Sequence, residues 1–198
     1  PNCSTVQLAL ALKPLHEIGG LKRVVASTYQ STSGAGSAAM RELATNARAT
    51  LDGRESMAFT FSYQIAFNSI PHIGNFGEDG FTSEEKKLMN ETRKILDLPD
   101  LKIAATAVRI PTFNCHCESV NIELHRNIPI EQARDALRSQ SGIIVEDDPA
   151  KHIYPMGLNA AGRDTVYVGR IRKDPSIENG LILWIVSDTL RKGAALNA

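Results

Sequence analysis

The stretch VYVGRIRKDPSIENGLILWIV, residues 166–186, contains two β-rich runs, residues 166–171 and 181–186. Runs of β-branched and aromatic residues of this kind form strands. Some links in the second half of the chain are too short for the dozen or more residues that a parallel crossover requires, so a mixed sheet is expected. Upstream, residues 120–124 and 104–110 (AATAVRI) read as strands and residues 143–146 as a further β-rich run. Residues 130–139 read as a helix, with Glu131 early and Arg138 late, as the helix dipole prefers. In the first half, residues 5–17 read as a helix disturbed at Pro14 and stopped by Gly19-Gly20. Residues 22–29 (KRVVASTY) read as a strand, 37–49 as a helix, and 59–73 as apolar and irregular. Thr82-Ser83-Glu84-Glu85 starts a helix that runs to about Leu96. Helices and strands interleave, and strands cluster late. This predicts an α+β fold, a mixed and largely antiparallel sheet with helices on one face.

The 198 residues are 42% hydrophobic and 22% charged, an ordinary globular composition. Twenty-two basic residues balance 22 acidic ones, so no overall field favours nucleic acid or a membrane surface. No apolar run reaches the ~20 residues that span a bilayer. Cys3, Cys115 and Cys117 cannot all pair, and a reducing cytoplasm suits them better than a secreted disulfide framework. No repeat or linker divides the chain. Residues 1–198 are expected to form one domain trimmed at both ends, since Pro1 stands where an initiator Met would and residues 191–198 read as a helix just beginning.

Cys3 precedes an apolar helical run for which Ser4 and Thr5 are natural N-caps. Unpaired N–H groups and the dipole at a helix start favour an anion, so this thiol is expected to ionise readily and act as a nucleophile. A buried, inert cysteine is the alternative. His116 follows a predicted strand, in Cys115-His116-Cys117. Neighbours on an extended chain face opposite ways and no second ligand pair lies nearby, so no metal is expected. A histidine completing a Cys–His pair with Cys3 is the better reading. Arg109 ends an apolar strand and needs an anion, either a structural carboxylate or a ligand's. Residues 33–39 (SGAGSAA) match G-x-G-x-x-A, with Asp52 near the expected acidic position. A polar stretch before Gly34 and the lack of a strand before Asp52 argue against a complete dinucleotide fingerprint. A helix start whose backbone approaches a ligand is the reading kept. Lys86 and Lys87 read as a solvated face from which one could reach a phosphate.

In order and spacing, PNCST, STYQSTSGAG, IAFNSIPHIGNF, TSEEKKLMNETRKIL, TAVRIPTFNCHCESV, YPMGLNAAGRDTVYVGRIR and LRKGAALNA together resemble the aspartate-β-semialdehyde dehydrogenase family, specifically its C-terminal catalytic and dimerisation domain. The resemblance implies a glyceraldehyde-3-phosphate-dehydrogenase-like C-terminal fold without the N-terminal Rossmann half. It implies conversion of β-aspartyl phosphate to aspartate semialdehyde with NADPH, in the branch leading to lysine, methionine and threonine. Cys3 would form the thioester, His116 would manage protons and Gln30 would orient the acyl group. Arg109 would grip the substrate carboxylate, Lys87 the phosphate and Glu84 the amino group. Ser33, Gly34 and Asn197 would touch the nicotinamide half of NADP. Partners would be the substrate, phosphate and a second copy of the chain, as a dimer or dimer of dimers, with no nucleic acid and no membrane. The related N-acetyl-γ-glutamyl-phosphate reductase and an inactive dimerisation module are the alternatives. Cys115 and Cys117 stand where small or hydroxyl residues are expected, which adds thiols near Cys3 and raises oxidative locking. Thr189 stands where Asn is expected.

Overall fold

The computed structural model describes residues 1–192. The chain runs α1 (Cys3–Gly19), β1 (Leu21–Gln30), α2 (Ser37–Leu51), α3 (Ser83–Leu96), β2 (Lys102–Arg109), β3 (His116–Leu124), α4 (Ile130–Ser139), β4 (Ile143–Val145), the short α5 (Gly157–Ala160), β5 (Val166–Lys173) and β6 (Gly180–Ser187). The strands form a six-stranded sheet in the order β2-β1-β3-β6-β5-β4. Pairs β1–β2 and β4–β5 are parallel. Pairs β1–β3, β3–β6 and β5–β6 are antiparallel. The sheet is therefore mixed and largely antiparallel, as expected, and β5 and β6 pair as their short link demands.

Helices α3 and α4 each pack on α1, and the three cover one face. Alternate residues of β3, from His116 to Leu124, turn to that face and are fully buried, while the intervening residues are only half-buried. Leu8, Leu12 and Leu15 of α1 meet Val24, Val120, Ile122 and Leu183 of the sheet in the main core. Pro14 does not break α1, which runs through to Gly19. Pro14 is itself buried, and the packing of α1 in the core outweighs the missing hydrogen bond. Helix α2 lies apart from the sheet. Its Leu43 packs on Ile65, Ala66 and Ile70, and its Asn46 and Glu42 bind the backbone of residues 57–65, which is how an irregular segment stays ordered.

The start of α3 is tied to the edge strand by one carboxylate. Thr82 and Glu85 form a capping box, the Thr82 hydroxyl accepting from the Glu85 N–H and Glu85 Oε2 accepting from the Thr82 N–H at 2.7 Å. Glu85 Oε1 also accepts from the Ala107 N–H at 2.9 Å, on the outward edge of β2. At the end of that edge, Ile70 and Arg109 exchange reciprocal backbone bonds. Glu85→Ala removes the acceptor of two buried N–H groups and should cost about 2 kcal/mol or more in urea unfolding. A loss below about 0.5 kcal/mol would show the tie to be inconsequential.

Candidate active site

At the C-terminal end of β1 the strand registers align four polar side chains in one row. Arg109 ends β2 beside Gln30, which ends β1. Gln30 pairs with His116, the first residue of β3, and His116 pairs with Ser187 of β6. All four are buried on the helix-covered face, with His116 fully inaccessible. His116 thus begins a strand, where the sequence had it following one; the strand over residues 120–124 extends back four residues to reach it.

Cys3 arrives from the first turn of α1. The N-cap is Asn2, not Ser4 or Thr5: Asn2 Oδ1 accepts from the Ser4 N–H at 2.9 Å and the Thr5 N–H at 3.2 Å. Ser4 and Thr5 are already inside the helix and buried. Glu84 of α3 then joins α1 to the strand row, its Oε1 accepting from Asn2 Nδ2 at 2.8 Å and Gln30 Nε2 at 3.1 Å. The structure therefore brings Cys3, Gln30, Glu84, Arg109 and His116 together.

The thiol is not the ready anion that the helix start suggests. Burial, and next the carboxylate of Glu84, push the Cys3 thiol above its usual range. The Ser4 N–H and the Arg109 charge act the other way but do not prevail. His116 is held neutral: burial, then the nearby Arg109 charge, lowers it to about 3. Its Nδ1 accepts from the Ser31 N–H at 3.1 Å, so the ring proton resides on Nε2. Nε2 is buried and has no hydrogen-bond partner among the described residues. The Ser31 and Thr189 hydroxyls also lie at the Nδ1 edge, at 3.1 and 3.5 Å.

Arg109 is 6% exposed and donates through Nη1 to the Ser31 carbonyl at 2.6 Å. No carboxylate among the described residues lies within ion-pair distance of it. It borders a cavity of about 220 Å³ lined also by Ala35, Phe61, Ile70 and His72. A 3-10 turn, Thr32–Ala35, roofs the row and hangs from the link between β2 and β3 through Thr32 N–H to Thr112 O and Ser33 N–H to Phe113 O. Gly34 is exposed, yet a Cβ there would sit 3.1 Å from His116 Nε2 and 3.2 Å from Arg109 Nη1. The missing side chain leaves only the glycine backbone between solvent and the buried His116 and Arg109. Ser33 is buried and bonds Ser31 instead, at 2.9 Å.

Other expected residues fall elsewhere. Lys87 is exposed on α3 and makes no hydrogen bond or ion pair among the described residues, and Lys86 pairs with Asp79 at 2.9 Å. Asn197, with the helix expected near it, lies outside the described residues. Asp52 caps the far end of α2 and pairs with Arg54, so no dinucleotide fingerprint is built. Cys115 and Cys117 are free thiols pushed up to about 12, chiefly by burial, which makes them poor partners for oxidative locking. The described residues hold no cluster of three metal-ligating side chains. The sequence reading missed Asn2, although Asn is among the strongest N-caps and directly precedes Cys3. It also missed Ser31, whose contribution is a backbone N–H and therefore leaves no mark in residue type.

Residues 12–192 match the model of the semialdehyde dehydrogenase dimerisation domain. The whole chain aligns with aspartate-semialdehyde dehydrogenase of Aquifex aeolicus at 51% identity, covering 58% of that protein, and with that of Bacillus subtilis at 46%, covering 60%. It superposes over its full length on the crystal structure of aspartate semialdehyde dehydrogenase II of Vibrio cholerae complexed with ASA, with a TM-score of 0.96, 43% identity and 58% of that chain covered. The chain thus spans less than two thirds of the length of these relatives.

Two substitutions test the geometry in the full-length protein. Glu84→Gln keeps an acceptor for Asn2 and Gln30 but removes the charge that raises Cys3, so the pH midpoint of Cys3 alkylation should move down. A midpoint that stays or rises would contradict the coupling. Gly34→Ala inserts a methyl against His116 and Arg109 and should slow turnover ~10-fold or more, with the melting temperature nearly unchanged.

Proposed function

Since the chain belongs to the semialdehyde dehydrogenase family, we propose that its parent protein converts β-aspartyl phosphate to aspartate semialdehyde and phosphate through a thioester on Cys3, with NADPH as reductant. The observation that carries this reading is Arg109, a buried guanidinium facing a small cavity without an acid partner. A guanidinium in that state is completed by a ligand's carboxylate held through two parallel hydrogen bonds. Glu84, within reach of Cys3 and Arg109, suits an ammonium, and a free amino acid carries both charges. That favours the aspartyl substrate over the acetylated one of N-acetyl-γ-glutamyl-phosphate reductase, which has no ammonium to bind. The ASA named in the Vibrio cholerae structure fits the same description.

In this scheme Cys3 Sγ attacks the acyl carbon, the bond to the phosphate oxygen breaks and phosphate leaves. Lys87, one turn beyond Glu84 on α3, has a free ammonium to follow that phosphate. The raised Cys3 means that its proton departs as the S–C bond forms, and it ends on the phosphate, which leaves as hydrogen phosphate. His116 is already deprotonated at Nδ1, and its Nε2–H donates toward developing charge on the carbonyl oxygen. Gln30, fixed by Glu84 and Thr28, fixes the acyl group beside it. Gly34 and Ser33 are assigned to the nicotinamide half of NADP, as the exposed glycine above His116 and Arg109 allows, and Asn197 is assigned to it by resemblance. When bound, the reduced nicotinamide supplies hydride to the acyl carbon. The C–S bond then breaks and the thiol is regained.

The sheet face opposite the helices is the proposed dimer contact. Val25, Tyr29, Ile182, Trp184 and Tyr167 are only half-buried there, and an apolar sheet face needs a cover. Three free thiols suit a reducing compartment, the cytoplasm. No helix among the described residues is long and apolar enough to cross a membrane.

Arg109→Lys in the parent enzyme keeps the charge but loses the planar fork. It should lower kcat/KM ~10²-fold or more in the phosphate-dependent oxidation of aspartate semialdehyde, with the fold intact. Near-normal kinetics with a lowered melting temperature would remove Arg109 from the site.

A further inference from the structure

One row below His116, on the same face of β3, lies Glu118, opposite Thr28 of β1 and Ile185 of β6. It is fully inaccessible, and neither carboxyl oxygen has a hydrogen-bond partner among the described residues. On α1, the Nε2 of Gln7 and the Oγ of Ser4 are also buried and unpartnered. Gln7 stands one helical turn beyond Cys3, on the same side of the helix. Its Oε1 accepts from the Ser187 hydroxyl at 2.6 Å, and Ser187 belongs to the His116 row. Orphaned donors and acceptors are costly in a core, and here they face one another under the reactive cysteine.

We propose that Glu118 is a positioning residue that acts as a neutral carboxylic acid, joined to Gln7 as a reciprocal acid–amide pair that fixes the first turns of α1, and with them Cys3, against the His116 strand. The acid carbonyl accepts from Gln7 Nε2, and the acid O–H donates to the free lone pair of Gln7 Oε1. A carboxylate could make only the first of these bonds. Burial pushes Glu118 up to about 8, and the Gln7 side chain alone opposes it. Its neighbours in the sheet carry no charge: Thr28 on β1, Ile185 on β6 and, one row up on its own strand, the neutral His116. Glu84 and Arg109, the charges of the row above, do not figure in its shift. Nothing in the scheme above uses Glu118.

The inference rests on the proposed function only for its kinetic readout, so the test has three arms in the full-length protein. Glu118→Gln can form an amide–amide pair of the same shape, and it should keep kcat within about threefold and Cys3 alkylation by iodoacetamide within about twofold. Glu118→Leu removes the pair. It should lower kcat ~10-fold or more with KM little changed, and change the alkylation rate at least about threefold, without lowering the melting temperature. Gln7→Leu breaks the same pair from the other side and should reproduce the kinetic loss, also if Glu118→Leu fails to fold. The third arm is pH. An acid whose folded value lies above its unfolded one costs stability that grows as pH rises from the unfolded value, near 4.5, to the folded value of about 8. The melting temperature of Glu118→Gln relative to the native protein should therefore climb from pH 5 to pH 8. A Glu118→Gln variant as slow as the Leu variant, a Gln7→Leu variant with native kinetics, or a flat melting difference would each overturn the proposal. If the parent lacks the proposed activity, alkylation and melting still decide on Glu118.

Discussion

Everything at the site depends on the register that places Arg109, Gln30, His116 and Ser187 in one row. Side chains alternate faces along a strand, so a slip of one residue would send each of them to the opposite face. Two different pairings must agree for the row to exist, the parallel one between β1 and β2 and the antiparallel one between β1 and β3. Strands β2 and β3 flank β1 and run in opposite directions, so the link between them crosses over the end of β1. That crossing puts the carbonyls of Thr112 and Phe113 where they hold the turn carrying Gly34. It also needs a residue at positive φ, Cys115 at 67°, immediately before His116. The roof and the floor of the site are consequences of one topological choice.

The charges around that row are sparse and unbalanced. Arg109 has no acid partner, His116 is neutral, the Cys3 thiol holds its proton and Glu118 is pushed toward its neutral form. Glu84 is the carboxylate whose charge reaches both Cys3 and Arg109. A zwitterionic substrate of the proposed kind would place its ammonium on Glu84 and its carboxylate on Arg109. The first contact removes an influence that raises Cys3 and the second removes one that lowers it. What then remains around the thiol is burial and the N–H groups at the start of α1. Fixing that helix start in position therefore matters more than supplying net positive charge, and the Asn2 cap, the Glu84 bridge and the Gln7–Glu118 contact all act on it.

Much of this was legible in the sequence where local rules apply. The capping signal at Thr82–Glu85, the dipole-matched helix over residues 130–139 and the clustering of strands late in the chain all appear as expected. The mixed sheet followed from link lengths alone. What failed was decided by tertiary contact. Pro14 is tolerated because the helix is pressed into the core, and the strand holding His116 begins early because Gln30 and Ser187 pair with it. A helix start predicts a low thiol pKa only when the thiol is solvated, and Cys3 is mostly buried. Glu118 went unnoticed because an acid at an inward strand position carries no signature until its neighbours on another helix are known.

The same alternation gives the sheet two uses. On β3, His116 and Glu118 face the three long helices, while Cys117 and Ser119 face the other side, which Ala160 and Ala161 cover only in part. Trp184 lies on that side too, its ring 5.6 Å from that of Tyr29 and its indole N–H donating to the Pro155 carbonyl. A second copy covering this side, as proposed, would press on the strands that set the row of Arg109, Gln30 and His116 without touching those side chains. Strand β6 would feel it most directly, since Trp184 belongs to that face and Ser187, three residues on, holds Gln7. Dimerisation in such an arrangement acts on the site through register. The strands that a partner locks together are the ones whose alignment keeps Arg109, Gln30 and His116 side by side, so assembly and a formed site would rest on the same hydrogen-bond ladder.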